Sequence, residues 1–326
     1  MTVSETTKTI SVDWRRSLLR GTIGVIVVVV FAAVAWWRSQ LAWGDVAELL
    51  VGSSPGFVVL ALVAYYGSFP LRGLRWRVLL EQHGDSSTIP STLTLTRFCL
   101  YGWLVNCALP AKLGELYRSY LAQRRSELPV ATVFGTVLIE RSADLVVLAL
   151  LLPLAAWVVG VATNAQLLPL QLVAAGMGIA LAAILTSFRH SDRLVRVLPP
   201  VLRAPLIRFA AGLQLRGRAF VGVTALTVPL WFLEGMRVYA EARALGLALS
   251  VAMSFLIALL AALLTTVPLT PAGIGAVEIG IAGTLILFGV RAEQAVALAL
   301  LDRLVAYWSV FIVAGLPWIV ERLRGS

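Results

Sequence analysis

The sequence predicts an all-α polytopic membrane protein, an inverted repeat with six full transmembrane helices and two opposed re-entrant helical hairpins. Three observations predict it. The chain is 59% hydrophobic and only 13% charged, with a mean hydropathy of +0.88, whereas a soluble domain carries about 25% charged residues. Two apolar blocks are interrupted by Pro, Gly and charge; the first has basic flanks at both ends, and the second must also return to its own side for the topology to close. Residues in four separate segments recur at an offset of about 162 positions, as internal repeats of transporters do.

The elements follow from the roughly 20 apolar residues that a span requires. The first span, Leu18 to Trp37, follows Arg15, Arg16 and Arg20 and shows no small-residue cleavage pattern, so it reads as a retained span with a cytoplasmic N-terminus. The second, Gly56 to Leu79, ends in Arg72-Gly-Leu-Arg75-Trp-Arg77. The block Ser91 to Tyr120 has basic flanks at both ends and breaks between Pro110 and Gly114. Each half has about 15 residues, or roughly 22 Å of helix, which reaches past mid-membrane without crossing. A hairpin fits both facts.

Pro129 to Val161 carries Glu140, Arg141 and Asp144 near its middle. Leu168 to Ser187 then returns to the most basic stretch, residues 188–218, with seven arginines against one Asp. That stretch reads equally as an interfacial helix or a solvated loop. Ala219 to Ala240 runs outward with Glu234 and Arg237. Leu249 to Val290 is broken by Pro268, Pro271, Gly273 and Gly275, and Ala295 to Val320 contains Asp302 and Arg303. A cytoplasmic C-terminus requires the second broken block to be a hairpin entering from outside.

The halves align in order: Arg72-Gly-Leu-Arg75 with Glu234-Gly-Met-Arg237, Pro110-Ala and Gly114 with Pro271-Ala and Gly275, Glu115 with Glu278, and Glu140-Arg141 with Asp302-Arg303. The expected organisation is a single membrane domain over 1–326. A first span and external loop (15–55) precede repeat 1 (56–161, re-entrant 91–121). A connecting span and basic cytoplasmic segment (162–218) lead to repeat 2 (219–320, re-entrant 249–290).

Composition also excludes functions. The net charge of +10 rests on arginines at span ends, the pattern of positive-inside topology and of anionic headgroups, not of nucleic-acid binding. Cys99 and Cys107 give no metal spacing and read as packing residues, so no metal or cofactor is expected. There is no His-Glu-x-x-His. The chain reads as a transporter rather than an enzyme.

The motif series Arg72-Gly-Leu-Arg-Trp-Arg77, Asn106-x3-Pro110-x-Lys-x-Gly114-Glu115-x2-Arg118, Glu140-Arg141-x2-Asp144, Pro268-x2-Pro271-x-Gly-x-Gly-x2-Glu278 and Asp302-Arg303 resembles the lysylphosphatidylglycerol synthase transmembrane-region family of flippase-like proteins. The resemblance covers residues 15 to 320 and implies a lipid translocase module, here as a stand-alone member without an aminoacyl-transferase domain. Where relatives often have glycine after the proline, this chain has Ala111 and Ala272.

The function expected is movement of a phosphate-bearing or glycosylated lipid between leaflets of the cytoplasmic (inner) membrane. Its headgroup would contact Arg75, Asn106, Lys112, Glu115, Arg118, Arg141, Arg237, Glu278 and Arg303. Glu115, Glu140, Asp144, Glu278 and Asp302 would gate or carry protons, and Pro110, Gly114, Pro268, Pro271, Gly273 and Gly275 would act as hinges. The helix N-termini at the two breaks suit a phosphate. Arg141 is expected to pair with Glu115, and Arg303 with Glu278. For Lys112 the plainer reading is a side chain that snorkels to the surface, and for Arg141 and Arg303 a structural ion pair. The partners are membrane lipids with an anionic or glycosylated headgroup; a separate lipid-synthesising enzyme and a homodimer are compatible with the sequence. The alternatives are an accessory or lipid-modifying subunit of a glycolipid, hopanoid or aminoacyl-lipid pathway, and a small-solute secondary transporter.

Overall fold

The computed structural model describes residues 41–159, 176, 179, 200–215, 217–266 and 270–324. The expected span at 18–37, that at 168–187 apart from residues 176 and 179, and the hinge at Pro268 lie outside them. The described residues are helical and contain no strand.

In chain order the helices are α1 (Trp43–Val51), α2 (Pro55–Leu80), α3 (Thr92–Ala108), α4 (Leu113–Gln123), α5 (Val130–Val158), α6 (Pro200–Gly212), α7 (Gly217–Ala244), α8 (Val251–Thr266), α9 (Ala276–Leu287) and α10 (Ala292–Arg303). α10 continues through two π-helical turns, Leu304–Trp308 and Phe311–Gly315, into α11 (Leu316–Arg324). Among the described residues three helices are long and apolar enough to cross a membrane: α2, α7 and the continuous helix Ala292–Val320. α5 is longer still at 29 residues, but Glu140, Arg141 and Asp144 interrupt its apolar run.

α3 and α4 fold back on each other, and so do α8 and α9. Neither partner reaches span length. α3 has 17 residues and α4 has 11, against 16 for α8 and 12 for α9; at 1.5 Å per residue these are about 16–26 Å long. Both breaks use the same backbone device, a proline followed by two left-handed residues. Ala111 (φ 65°) and Lys112 (φ 55°) follow Pro110, while Ala272 (φ 45°) and Gly273 (φ 76°) follow Pro271. A left-handed L-residue costs about 1–2 kcal/mol, and glycine removes that cost while adding freedom to the unfolded chain. Ala111→Gly is therefore expected to raise the melting temperature in detergent by the equivalent of about 1 kcal/mol. An unchanged or lower value would count against this backbone geometry.

Gly114 is also a close-packing residue. A Cβ there would lie 1.8 Å from the Gly102 carbonyl oxygen and 2.7 Å from Asn106 Oδ1, so the two half-helices meet backbone to backbone. Gly114→Ala is expected to splay the hairpin and cost the upper end of about 1–3 kcal/mol, read as a lowered melting temperature.

The same contacts recur in the two halves. Gly73 brings α2 against Thr92 and Thr96 of α3, and Gly235 brings α7 against Phe255 of α8. Arg75 binds Glu140, 65 residues on, and Arg237 binds Asp302, also 65 on. Arg75 Nη1 donates to Thr227 Oγ1 at 3.0 Å, while the Arg237 guanidinium lies 5.9 Å over the Tyr65 ring. Arg72 Nη2 donates to Glu234 Oε1 at 2.9 Å, a pair separated by 162 residues. Within the basic segment between the halves, Pro200–Gly212 forms α6, which packs on α5. Gly135 and Gly212 meet face to face, and Thr132 Oγ1 donates to the Arg208 carbonyl at 3.0 Å.

Candidate functional site

The charged motifs converge on one cavity of about 110 Å³. α2 contributes Tyr65, Phe69 and Arg72, α3 contributes Trp103 and Asn106, and the first break contributes Lys112. Glu115 and Arg118 come from α4, Arg141 and Asp144 from α5, Glu234 and Arg237 from α7, Arg303 from α10 and Ala306 from the π-helical turn that follows it, while small residues of α8 close one wall. Six cations therefore line it (Arg72, Lys112, Arg118, Arg141, Arg237, Arg303) against three acids (Glu115, Asp144, Glu234).

Behind that lining stand buried acids that hold particular arginines. Arg75, with 0% exposure, donates to Asp144 Oδ1 at 2.7 Å, Glu140 Oε1 at 2.8 Å and Thr227. Glu140, also at 0%, meets Arg118 through its other oxygen at 2.9 Å. Arg118 additionally donates from Nε to Glu115 Oε2 at 2.7 Å and lies 4.8 Å over the Trp76 ring, whose own Nε1–H is fixed by Thr136 Oγ1. Such a dense set is required, because an arginine deep in a span costs about 2.5–3.5 kcal/mol even on insertion scales. In the other half Arg237 is shared by Glu234, Glu241 and Asp302.

Two lining cations are held loosely. Arg141 reaches Glu115 and Asp144 only at 3.4 Å each, and its side chain is 29% exposed. Lys112 makes no ion pair among the described residues; its ammonium lies 5.9 Å over the Trp103 ring.

The comparisons with known proteins agree with the motifs. The family described as lysylphosphatidylglycerol synthase TM region matches residues 22–314. The chain belongs to that family. Among its relatives is a UPF0104 membrane protein of Methanocaldococcus jannaschii, 31% identical over 229 residues, which span 67% of this chain and 94% of the relative. A UPF0104 membrane protein of Methanothermobacter thermautotrophicus is 24% identical over 299 residues, 81% of this chain and 83% of that protein. A shorter match, 28% over 130 residues, covers 40% of this chain and 20% of glycosyltransferase AglD of Haloferax volcanii. As a member of the lysylphosphatidylglycerol synthase TM-region family this chain is a membrane protein with several apolar helices.

Of the residues expected to contact a ligand, the family member's cavity brings together Asn106, Lys112, Glu115, Arg118, Arg141, Arg237 and Arg303. Arg75 is not among them: wholly buried and saturated by Glu140, Asp144 and Thr227, it is a structural hub. Glu140 is likewise clamped between Arg75 and Arg118. Asp144 does line the cavity, whereas Asp302 is fully enclosed between Arg237 and Arg303. Arg141 does meet Glu115 as expected, but Arg303 does not choose Glu278. It turns to its own neighbour Asp302, with Nε donating to Oδ2 at 2.9 Å, and touches the Ala272 carbonyl at 3.4 Å. Glu278 is occupied as a cap, its Oε2 accepting from the Gly275 N–H at 2.7 Å. Asn106 Oδ1 does the same for the Gly114 N–H at 2.8 Å. Each cap takes one of the unpaired N–H groups at its break.

Sequence reasoning missed Glu234 and Arg72 as lining residues and Glu241 as a partner of Arg237. The spacing of Glu241 four residues after Arg237 was the available signal. The π-helical turn after Arg303 was not legible. It directs the Ala306 carbonyl out of the helical ladder, where it accepts from Tyr65 O–H at 2.9 Å and Trp103 Nε1–H at 3.3 Å; π-turns inside helices cluster at functional sites.

Proposed function

We propose that this protein is a lipid translocase of the cytoplasmic membrane that passes a phosphate-bearing headgroup through the cavity while the acyl tails stay in the bilayer. The observation that carries the reading is the pair of loosely held cations, Lys112 and Arg141, facing one small cavity whose other charges are matched. A cation held so loosely is costly at membrane depth unless an anion visits it. The cavity of about 110 Å³ has room for a phosphate group.

The architecture that supports this reading is an inverted repeat with two opposed re-entrant hairpins and six spans. The paired 65-residue contacts, the reciprocal Arg75–Thr227 and Arg237–Tyr65 contacts and the twin breaks support a two-fold relation between the halves. Arg72–Glu234, separated by the repeat offset itself, then lies on the pseudo-axis. With both termini cytoplasmic, the first hairpin enters from inside and the second from outside. Alternating access would open one hairpin tip at a time.

The test is leaflet exchange of an anionic, phosphate-headgroup lipid in proteoliposomes. Wild type is expected to exceed empty vesicles, and Arg141→Ala and Arg303→Ala to fall below wild type. Equal rates in all four preparations would sink the reading for that lipid. A second reading is favoured by the match to part of a glycosyltransferase: the chain would present a lipid to a separate enzyme. Product formation by the purified chain given a donor, without exchange, would favour it.

A further inference from the structure

The arginine of the second half carries more acid than it neutralises. Arg237 Nη1 donates to Glu241 Oε1 at 2.8 Å and to Asp302 Oδ1 over a shorter contact, and Nε reaches Glu234 Oε2 at 3.3 Å. Glu234 has Arg72 in addition, and Asp302 has Arg303. Glu241 has only its share of one nitrogen. It is 0% exposed, and its Oε2 is buried with no hydrogen-bond partner among the described residues.

The first half shows the contrast. There Arg75 stands where Arg237 stands, and each of its acids has a second arginine, Arg118 for Glu140 and Arg141 for Asp144. The position one repeat before Glu241 is Leu79, a buried apolar residue. Glu241 is thus an acid added to one half without a cation to match. The charged groups acting on it are Arg237 on its own helix α7 and Asp302 and Arg303 on α10; α8 contains no charged residue. Holding such a carboxyl neutral is cheaper than holding it ionised.

We propose that Glu241 is a proton-binding site, a neutral carboxylic acid while Asp302 holds Arg237 and an ionised one only when Arg237 leaves Asp302. No bond other than O–H is made or broken. The proton passes to water as the freed guanidinium takes over the negative charge, and returns when Asp302 recovers Arg237. Because Arg237 lines the cavity, events there and proton binding at Glu241 are linked and reciprocal. The proposal holds whatever the cavity carries.

Infrared spectroscopy of the purified protein tests it. At neutral pH wild type is expected to show a protonated-carboxyl C=O stretch that is absent from Glu241→Gln, with the variant's melting temperature unchanged because glutamine reproduces the neutral acid. In Asp302→Asn the freed Arg237 pairs with Glu241, so the band is expected to vanish at neutral pH and return on acidification. A wild-type spectrum in Glu241→Gln would overturn the proposal. Failure of Glu241→Gln to fold would do so too, since that is the mark of a lost ion pair. If Asp302→Asn does not fold, the difference between wild type and Glu241→Gln decides alone.

Discussion

Arg75→Ala is expected to destabilise the protein by about 3–5 kcal/mol, the cost of breaking a buried ion pair from one side. The substitution leaves Glu140 and Asp144 facing each other with one cation fewer, in a site where Arg75, Glu140 and Trp76 are all at 0% exposure. It also strips Thr227 Oγ1 of a donor from the other half. Arg75→Lys is expected to recover only part of the loss, because an ammonium cannot span Asp144 and Glu140 as the planar fork does. Thermal unfolding in detergent reads both variants. A wild-type melting temperature for Arg75→Ala would contradict the hub role.

Arg141→Ala is expected to do the opposite, leaving stability nearly intact and removing function. Its two ion contacts are long, 3.4 Å, and its side chain is 29% exposed, the regime in which an ion pair contributes about 0–1 kcal/mol. A charge-assisted hydrogen bond to a phosphate, by contrast, is worth about 1.5–3 kcal/mol, so exchange of an anionic lipid should fall about ten- to hundredfold. The two arginines differ in what stands behind them, not in chemistry. If Arg141→Ala unfolds the protein while exchange per folded molecule is unchanged, the roles assigned here are reversed.

Hydropathy and spacing made the helical membrane class, the two breaks and the recurrence at about 162 residues legible, because each rests on strong local signals: charge in an apolar run, proline and glycine in a helix. Pairing was harder. Adjacent residues on a helix point apart, which argued against Arg303 with Asp302. The π-helical turn that begins at Leu304, directly after Arg303, is a backbone feature with no sequence signature. Glu278 and Asn106 were read as ligand contacts because they are polar at a break, but a break also leaves unpaired N–H groups, and those took both side chains first. Arg75 and Arg141 look alike in sequence; only burial separates a hub from a contact.

The proposed function depends on the two hairpins entering from opposite faces, with the cavity lined by Lys112 and Arg303 between them. Single cysteines at Ser86, Glu127, Ala248 and Arg291, in a background lacking Cys99 and Cys107, test this with a membrane-impermeant thiol reagent. The first two flank the α3–α4 hairpin and the last two flank α8–α9. The account predicts that Ser86→Cys and Glu127→Cys label together from the cytoplasmic side, and Ala248→Cys and Arg291→Cys together from the other. Labelling of all four from one side, or of the two members of either pair from different sides, would contradict it.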